Sequence, residues 1–360
     1  MIKEFSADLT PKKRFGSLQI DPALFEPASA DEKAQADIMR ESTTFFRDGM
    51  RKLFKNPLAV LSIIVLCVIF LVIIIAPIIV PYSYSDMITV NGRRDKGAKN
   101  LAPFTYSKLE QKAIDNGEYI FPHIFGTDDL CRDYFIRVVY GARVSLLIGL
   151  FASIIVLVIG LIYGSISGYA GGKTDLVMMR IVDIIYSLPD VLMVILLSVV
   201  LDQVLKDKLA GTPLMALGTN MISLFIVFGL LYWVGMARLV RGQVLQVKSN
   251  EFVLAAKAMG ASRRRIIKKH ILPNCMSVII ISTALQIPSA IFTESFLSFI
   301  GLGVQVPMPS LGSLANMARQ GMQSYPYKLL YPALTICVIV LAFNLLGDGL
   351  RDAFDPKLRR

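Results

Sequence analysis

Histidine occurs only twice in the 360 residues, tryptophan once and cysteine four times. His123 and His270 stand beside no cysteine pair, so the chain offers no zinc-type ligand set. The cysteines exclude a disulfide framework. Cys67 and Cys337 lie inside apolar runs, Cys275 begins one, and only Cys131 sits in polar sequence. A phosphate loop is also missing. The nearest match, SGYAGGKT at Ser167–Thr174, has serine where the first glycine is required and follows an apolar run rather than a soluble strand. It reads as a tight glycine turn with Lys173 at its rim. No serine-centred nucleophile elbow and no repeat of fixed period accompany it. Nothing here marks the chain as an enzyme. The first 57 residues also lack the apolar core and small-residue cleavage site of a signal peptide.

Apolar length is what the sequence has. Hydrophobic residues make up 54% and the formal net charge is +11, a combination that fits a polytopic membrane protein with basic cytosolic segments. A span needs about 20 apolar residues in helix. Six are expected: Leu58–Val80, Val144–Tyr169, Leu176–Leu201, Ile222–Val240, Met276–Ile300 and Leu329–Gly347. The fold class is therefore all-α, with six transmembrane helices. Lys and Arg cluster before the first span, between the fourth and fifth, and in the last residues, which places those segments and both termini in the cytosol. The domain division is a cytosolic tail at 1–56, a first span at 57–80, an outer loop at 81–140, a five-helix transmembrane domain at 141–352 and a short tail at 353–360. Within the first tail, Phe46, Met50, Leu53 and Phe54 share a face that suits either an interfacial helix or a simple basic anchor. Residues 1–36 read as a mobile tail or a regulatory contact.

One cytosolic segment is patterned rather than merely polar. Glu251–Asn274 reads EFVLAAKAMGASRRRIIKKHILPN. Phe252, Ala255, Ala256 and Met259 recur at helical spacing and predict an apolar stripe. Gly260 falls where a helix ends in a left-handed residue, and Ser262 where the next one is capped. Arg263, Arg264 and Arg265 then occupy a first turn, where positive charge opposes the helix dipole. A pattern that local stability disfavours points to an external demand, either an acidic partner or lipid head groups. Inside the spans, Asp183, Pro189 and Glu294 are candidates for a translocation pathway, because polar groups at bilayer depth face protein or water. The structural alternatives are an Arg180–Asp183 pair one turn apart, a Glu294 pair with another chain, and packing kinks at Pro189 and Pro288.

The patterned segment resembles the EAA loop of ABC-importer permeases in Ala255–Ala256, Gly260 and Leu272–Pro273, with Leu254 in place of the usual Glu and His270 in place of Ile. Glu251, Phe252, Met259–Gly260–Ala261 and His270–Asn274 are similar to the peptide and nickel branch. So are Phe125–Asp133 with Tyr140–Arg143, where Cys131 replaces a usual Gly, and Thr293–Glu294 with Leu297–Gly303. The resemblance covers about residues 57–355. It implies the type I importer permease fold and a transport subunit in the cytoplasmic membrane, working with a second, homologous permease and two cytosolic ABC ATPases. An extracytoplasmic solute-binding protein delivers the cargo, oligopeptides ahead of dipeptides or nickel, and lipid surrounds the spans; no nucleic acid is implied. ATP and Mg would be bound by the ATPases, leaving this chain without a cofactor. Glu251, Ala255, Ala256, Met259, Gly260, Ala261, Leu272 and Pro273 would form the ATPase-coupling element. A self-sufficient secondary carrier is the rival class.

Overall fold

The computed structural model describes residues 45–209, 211–212, 218–304 and 308–354. The expectations for residues 1–36 and for the last basic residues lie outside these.

Helix α1 (Phe45–Leu53) leads into α2 (Pro57–Ile79) through Asn56, whose side chain accepts hydrogen bonds from the Leu58 and Ala59 amides at 3.1 and 3.4 Å. Proline at the first helical position suits this start, because that amide would have no partner. The expected interfacial face of α1 is partly inward: Leu53 is buried, and Gly49 packs on the Phe354 ring at the far end of the chain. Along α2 most large side chains stay exposed, as a lipid-facing helix requires.

The segment expected to face outward, called the outer segment below, is more ordered than a loop. It holds a two-residue hairpin (β1, Thr89–Val90; β2, Arg93–Arg94) turned by Asn91 and Gly92, both at positive φ, and helix α3 (Lys108–Asp115), closed by a Ser107–Glu110 capping box. It ends sooner than expected, because α4 already starts at Tyr134 and runs to Ala170. Asp133 caps α4, accepting from the Ile136 amide at 2.9 Å.

The turn after α4 needs two left-handed residues, Gly171 and Gly172 at φ +68° and +57°, and this accounts for the glycine-rich SGYAGGKT sequence. The third span then departs from expectation. It is not one helix over Leu176–Leu201 but two, α5 (Gly172–Tyr186) and α6 (Asp190–Leu209), bent by 84°. Pro189 disfavours helical geometry at Leu188, so the break falls immediately before it. Five helices are singly long enough to cross a bilayer, and a sixth span exists if the bent pair is counted as one.

Helix α7 (Thr219–Lys248) contains a π-turn at Phe228–Tyr232. It forms the most extensive helix pair of the bundle with α4. Gly160, Gly164 and Gly168 of α4 sit against Met236, Ala237, Val240 and Arg241 so closely that any side chain would collide with α7. This spacing of small residues lets two membrane helices approach backbone to backbone. Helix α8 (Glu251–Ala258) and helix α9 (Arg263–Phe299) follow, then α10 (Leu311–Arg319) and α11 (Pro326–Phe354). Helix α9 packs on both α4 and α11, and the bundle closes where α11 returns to α2 and α1.

Candidate functional site

The elbow between α7 and α9 is built by a complete helix stop. The Ala261 amide donates to the Ala256 carbonyl at 3.1 Å and the Gly260 amide to Lys257 at 3.0 Å, with Gly260 at φ +79°. These are the two bonds of a Schellman motif, which turns the chain sharply while satisfying the last carbonyls of α8. Ser262 Oγ then accepts from the Arg265 amide at 3.4 Å and starts α9. No separate second elbow helix exists: Arg263 begins the same 37-residue helix that crosses the membrane. A π-turn at Ile267–Ile271 joins the two parts directly ahead of Pro273, whose ring and missing amide disrupt a regular turn. Asn274 Nδ2 donates to the His270 carbonyl at 2.6 Å.

The expected apolar stripe is divided between two faces. Val253 packs with Ile266, Ile271 and the end of α7, and Ala256 on the same helix is buried too, so it is not free for a partner. Phe252, Ala255 and Met259 point away from the chain, Met259 with 82% of its surface exposed. Glu251 lies exposed in the first turn of α8, where its charge favours the helix dipole. Leu272 is half-buried against the elbow core and Pro273 is exposed; Ala261 packs on the same core. Arg263, Arg264, Arg265, Lys268 and Lys269 are exposed and make no ion pair among the described residues. The elbow thus presents an apolar patch inside a cationic rim.

The three candidate pathway residues do not come together. Asp183 pairs with Arg238 of α7 at 2.7 Å, and Arg238 also lies over the Tyr186 ring; the Arg180–Asp183 pair expected from their spacing is not formed, and Arg180 stays exposed. Glu294 is fully buried in the isolated chain, so it neither lines a cavity nor offers itself to another chain. Its carboxylate accepts from Ser298 at 2.7 Å, Ser145 at 2.8 Å and Ser295 at 3.3 Å, clamping α9 to α4. Pro189 alone borders a cavity, of about 410 Å³, at the break of the third span. Pro288 lies inside α9, which continues through it as a single helix.

One organised cluster escaped the sequence reading. His123 is wholly buried in the outer segment between Asp133 at Nδ1 and Glu110 at Nε2, each at 2.8 Å. Burial works against its charge, but the hydrogen bonds it donates to Asp133 and Glu110 outweigh this and push its pKa up to about 9. Burial likewise opposes ionised Glu110, and the His123 hydrogen bond overrides it, holding that carboxyl below its usual range. Beside them, the Arg132 guanidinium bonds Asp128 at 2.8 Å. The signature Phe125–Asp133 is therefore the structural knot joining the outer segment to α4. Within it Gly126 stands at φ +74° and so tight against the Leu101 backbone that no side chain fits.

Broken and bulged spans, a basic elbow with an apolar patch, and a folded outer segment define a polytopic helical permease. Residues 158–360 match the family described as the binding-protein-dependent transport system inner membrane component, and residues 44–106 match the N-terminal TM domain of oligopeptide transport permease C. The chain is 40% identical over 337 residues to the oligopeptide transport system permease protein OppC of Bacillus subtilis, covering 94% of this chain and 98% of that one. It is 42% identical over 332 residues to the dipeptide transport system permease protein DppC of the same organism, covering 92% of each. The OppC of Haemophilus influenzae is 39% identical over 323 residues, covering 90% of this chain and 92% of the relative. The chain belongs to the family of multi-pass inner-membrane permeases of binding-protein-dependent ABC transporters, in its oligopeptide and dipeptide branch.

Proposed function

We propose that the chain is one of two permease subunits of an ATP-driven importer that carries peptides, oligopeptides first, across the cytoplasmic membrane. The observation that carries this reading is the elbow. Phe252, Ala255 and Met259 form an uncovered apolar patch on a helix whose position is fixed by the Gly260 turn and whose rim is cationic. A patch of this kind suits a cleft on a soluble, acidic-rimmed partner, here the ATPase, which supplies the ATP and Mg chemistry. The distribution of Lys and Arg supports placing the elbow and both termini in the cytosol and the outer segment facing a solute-binding protein.

In this mechanism ATP binding closes two ATPases and draws the paired elbows together. Each elbow moves the spans continuous with it, opening the cavity outward to receive peptide; hydrolysis and ADP release reset it inward. The coupling depends on contacts that differ between the two states, because equal docking in both would shift nothing. Peptide cargo is supported by the relatives, whose names divide between oligopeptide and dipeptide systems. A dipeptide or nickel importer is the alternative within the same architecture.

The test is site-specific cross-linking. With the exposed Cys67 and Cys337 replaced, a Met259→Cys chain carrying a photo-cross-linker in membranes holding the full complex should capture an ATPase subunit, more strongly when ATP is added. Labelling of that cysteine from the outer face, or solute uptake by the chain alone, would refute the assignment and favour a secondary carrier.

A further inference from the structure

Irregularities in two spans meet at one place, and a third span reaches it just past its own proline. The third span breaks between Tyr186 and Asp190, α7 carries its π-turn at Phe228–Tyr232, and α9 carries Pro288. The cavity of about 410 Å³ is bounded by Tyr186, Pro189 and Asp190 on the broken span and by Tyr232 and Gly235 on α7. A second cavity, of about 220 Å³, is bounded by the same Asp190 and Tyr232 together with Ser289 and Thr293 of α9. Two residues therefore border both spaces, and one of them is a carboxylate. Helix irregularities at bilayer depth survive where they line a cavity, and π-turns concentrate at functional positions.

Asp190 has no counter-charge. One carboxylate oxygen accepts from the Val191 amide at 2.9 Å, and it makes no ion pair among the described residues. The nearby cation, Arg238, is already held by Asp183 and the Tyr186 ring. The 15 residues of α5 raise the break about 22 Å from the glycine turn, at 1.5 Å per residue. That rise is at most the full length of α5, so the break falls short of the far side of a hydrocarbon core about 30 Å thick. The negative end of the α5 dipole lies at this break, and Asp190 itself opens α6, whose positive end its charge complements. A lone carboxylate at this depth, facing a cavity with largely aromatic and aliphatic walls, is an arrangement that a positively charged cargo group would complete.

We propose that Asp190 receives the terminal ammonium group of a peptide in transit, with Tyr186 and Tyr232 flanking it and the second cavity accepting the adjoining residue. The proposal rests on the peptide-importer reading. The Tyr232 hydroxyl lies 3.4 Å from Thr293 Oγ1, so its oxygen stands where it can accept a hydrogen bond from the cargo's ammonium.

The experiment uses the complete transporter in proteoliposomes, with its receptor and radiolabelled trialanine. Asp190→Asn keeps the side-chain shape and should lower trialanine imported per ATP hydrolysed about tenfold, the equivalent of about 1.4 kcal/mol. Receptor-stimulated ATP hydrolysis and the ratio of subunits in the purified complex should not change, and Asp190→Glu should keep more than half of wild-type import. Import by Asp190→Asn within twofold of wild type overturns the assignment. Loss of the second permease from the Asp190→Asn complex also overturns it, because the carboxylate would then be pairing with that subunit. Equal losses in the Asn and Glu variants overturn it as well, showing a packing role. If the wild-type complex imports no trialanine at all, the peptide-importer reading itself has failed.

Discussion

Replacing Gly260 separates the geometry of the elbow from its composition. At φ +79° an L-residue pays a backbone cost of about 1–2 kcal/mol, and a β-branched one more. No atom lies within 4 Å of where a Cβ would stand, so the cost is not steric crowding with the rest of the protein. The chain can relieve the strain only by giving up the Ala261–Ala256 and Gly260–Lys257 hydrogen bonds, each worth about 1 kcal/mol net. Giving them up re-aims α8, whose buried residues are Val253 and Ala256 alone, so the disturbance stays at the elbow. Activity should therefore fall in the order Asn, Ala, Val at this position, because asparagine tolerates left-handed geometry best. Membrane vesicles carrying the full complex should show receptor-stimulated ATP hydrolysis close to wild type for Gly260→Asn and abolished for Gly260→Val, with equal amounts of inserted chain. Wild-type stimulation in Gly260→Val would refute the claim that this turn positions the coupling surface.

Met259→Glu places a charge at the centre of the apolar patch and should weaken ATPase docking by at least tenfold, read as loss of the ATPase on affinity purification of the complex, while Ala256→Ser should act instead through packing of the elbow and lower resistance to proteolysis. His123→Gln leaves Glu110 and Asp133 buried without a cation and should destabilise the outer segment by about 3–5 kcal/mol, seen as faster hydrogen exchange over residues 81–133. In the wild type the sign follows from the pKa shifts. The raised His123 contributes fully below its ordinary pKa and loses that contribution as pH climbs through about 9, whereas the lowered Glu110 contributes above its ordinary pKa and loses it under acid. Protection of the outer segment should accordingly decline on both sides of that window, and a flat profile to pH 10 would count against the buried ion pairs.

Much of the bundle was legible because lipid imposes length and apolarity on every span, and a glycine flanked by a helical stripe and a serine cap marks a turn from local chemistry alone. Long-range partners were not legible. Asp183 sits one turn from Arg180, yet Arg238, 55 residues away, takes it, because α7 passes closer than the local neighbour can reach. Glu294 resembled a pathway group from its depth in the span; three serines on two helices, unremarkable in sequence, turn it into a clamp. Ala256 looked like part of a docking stripe because spacing defines a face without saying which way it turns. His123 was passed over since a lone histidine in a polar loop carries no signal until the fold brings Glu110 and Asp133 to it.

The clamp and the elbow together suggest how a push at one surface becomes movement at another. Helix α9 runs from Arg263 at the elbow to Phe299 without a break, about 55 Å at 1.5 Å per residue. Its far part is fastened to α4 by Glu294, while Thr293 next to it and Ser289 five residues back border the cavity at Asp190. Helix α7 enters the same elbow from the other side and brings Tyr232 to the same cavity. A displacement of α8 is thus applied to two helices at once, one of them held at its far end, so the elements between must bend. The π-turn of α7 lies beside the cavity, and Pro288 of α9, where one backbone donor is missing, directly precedes Ser289 on the cavity wall. Bending there changes the cavity while leaving intact the glycine-packed contact of α4 with the inner half of α7, which is why that contact can be as close as it is.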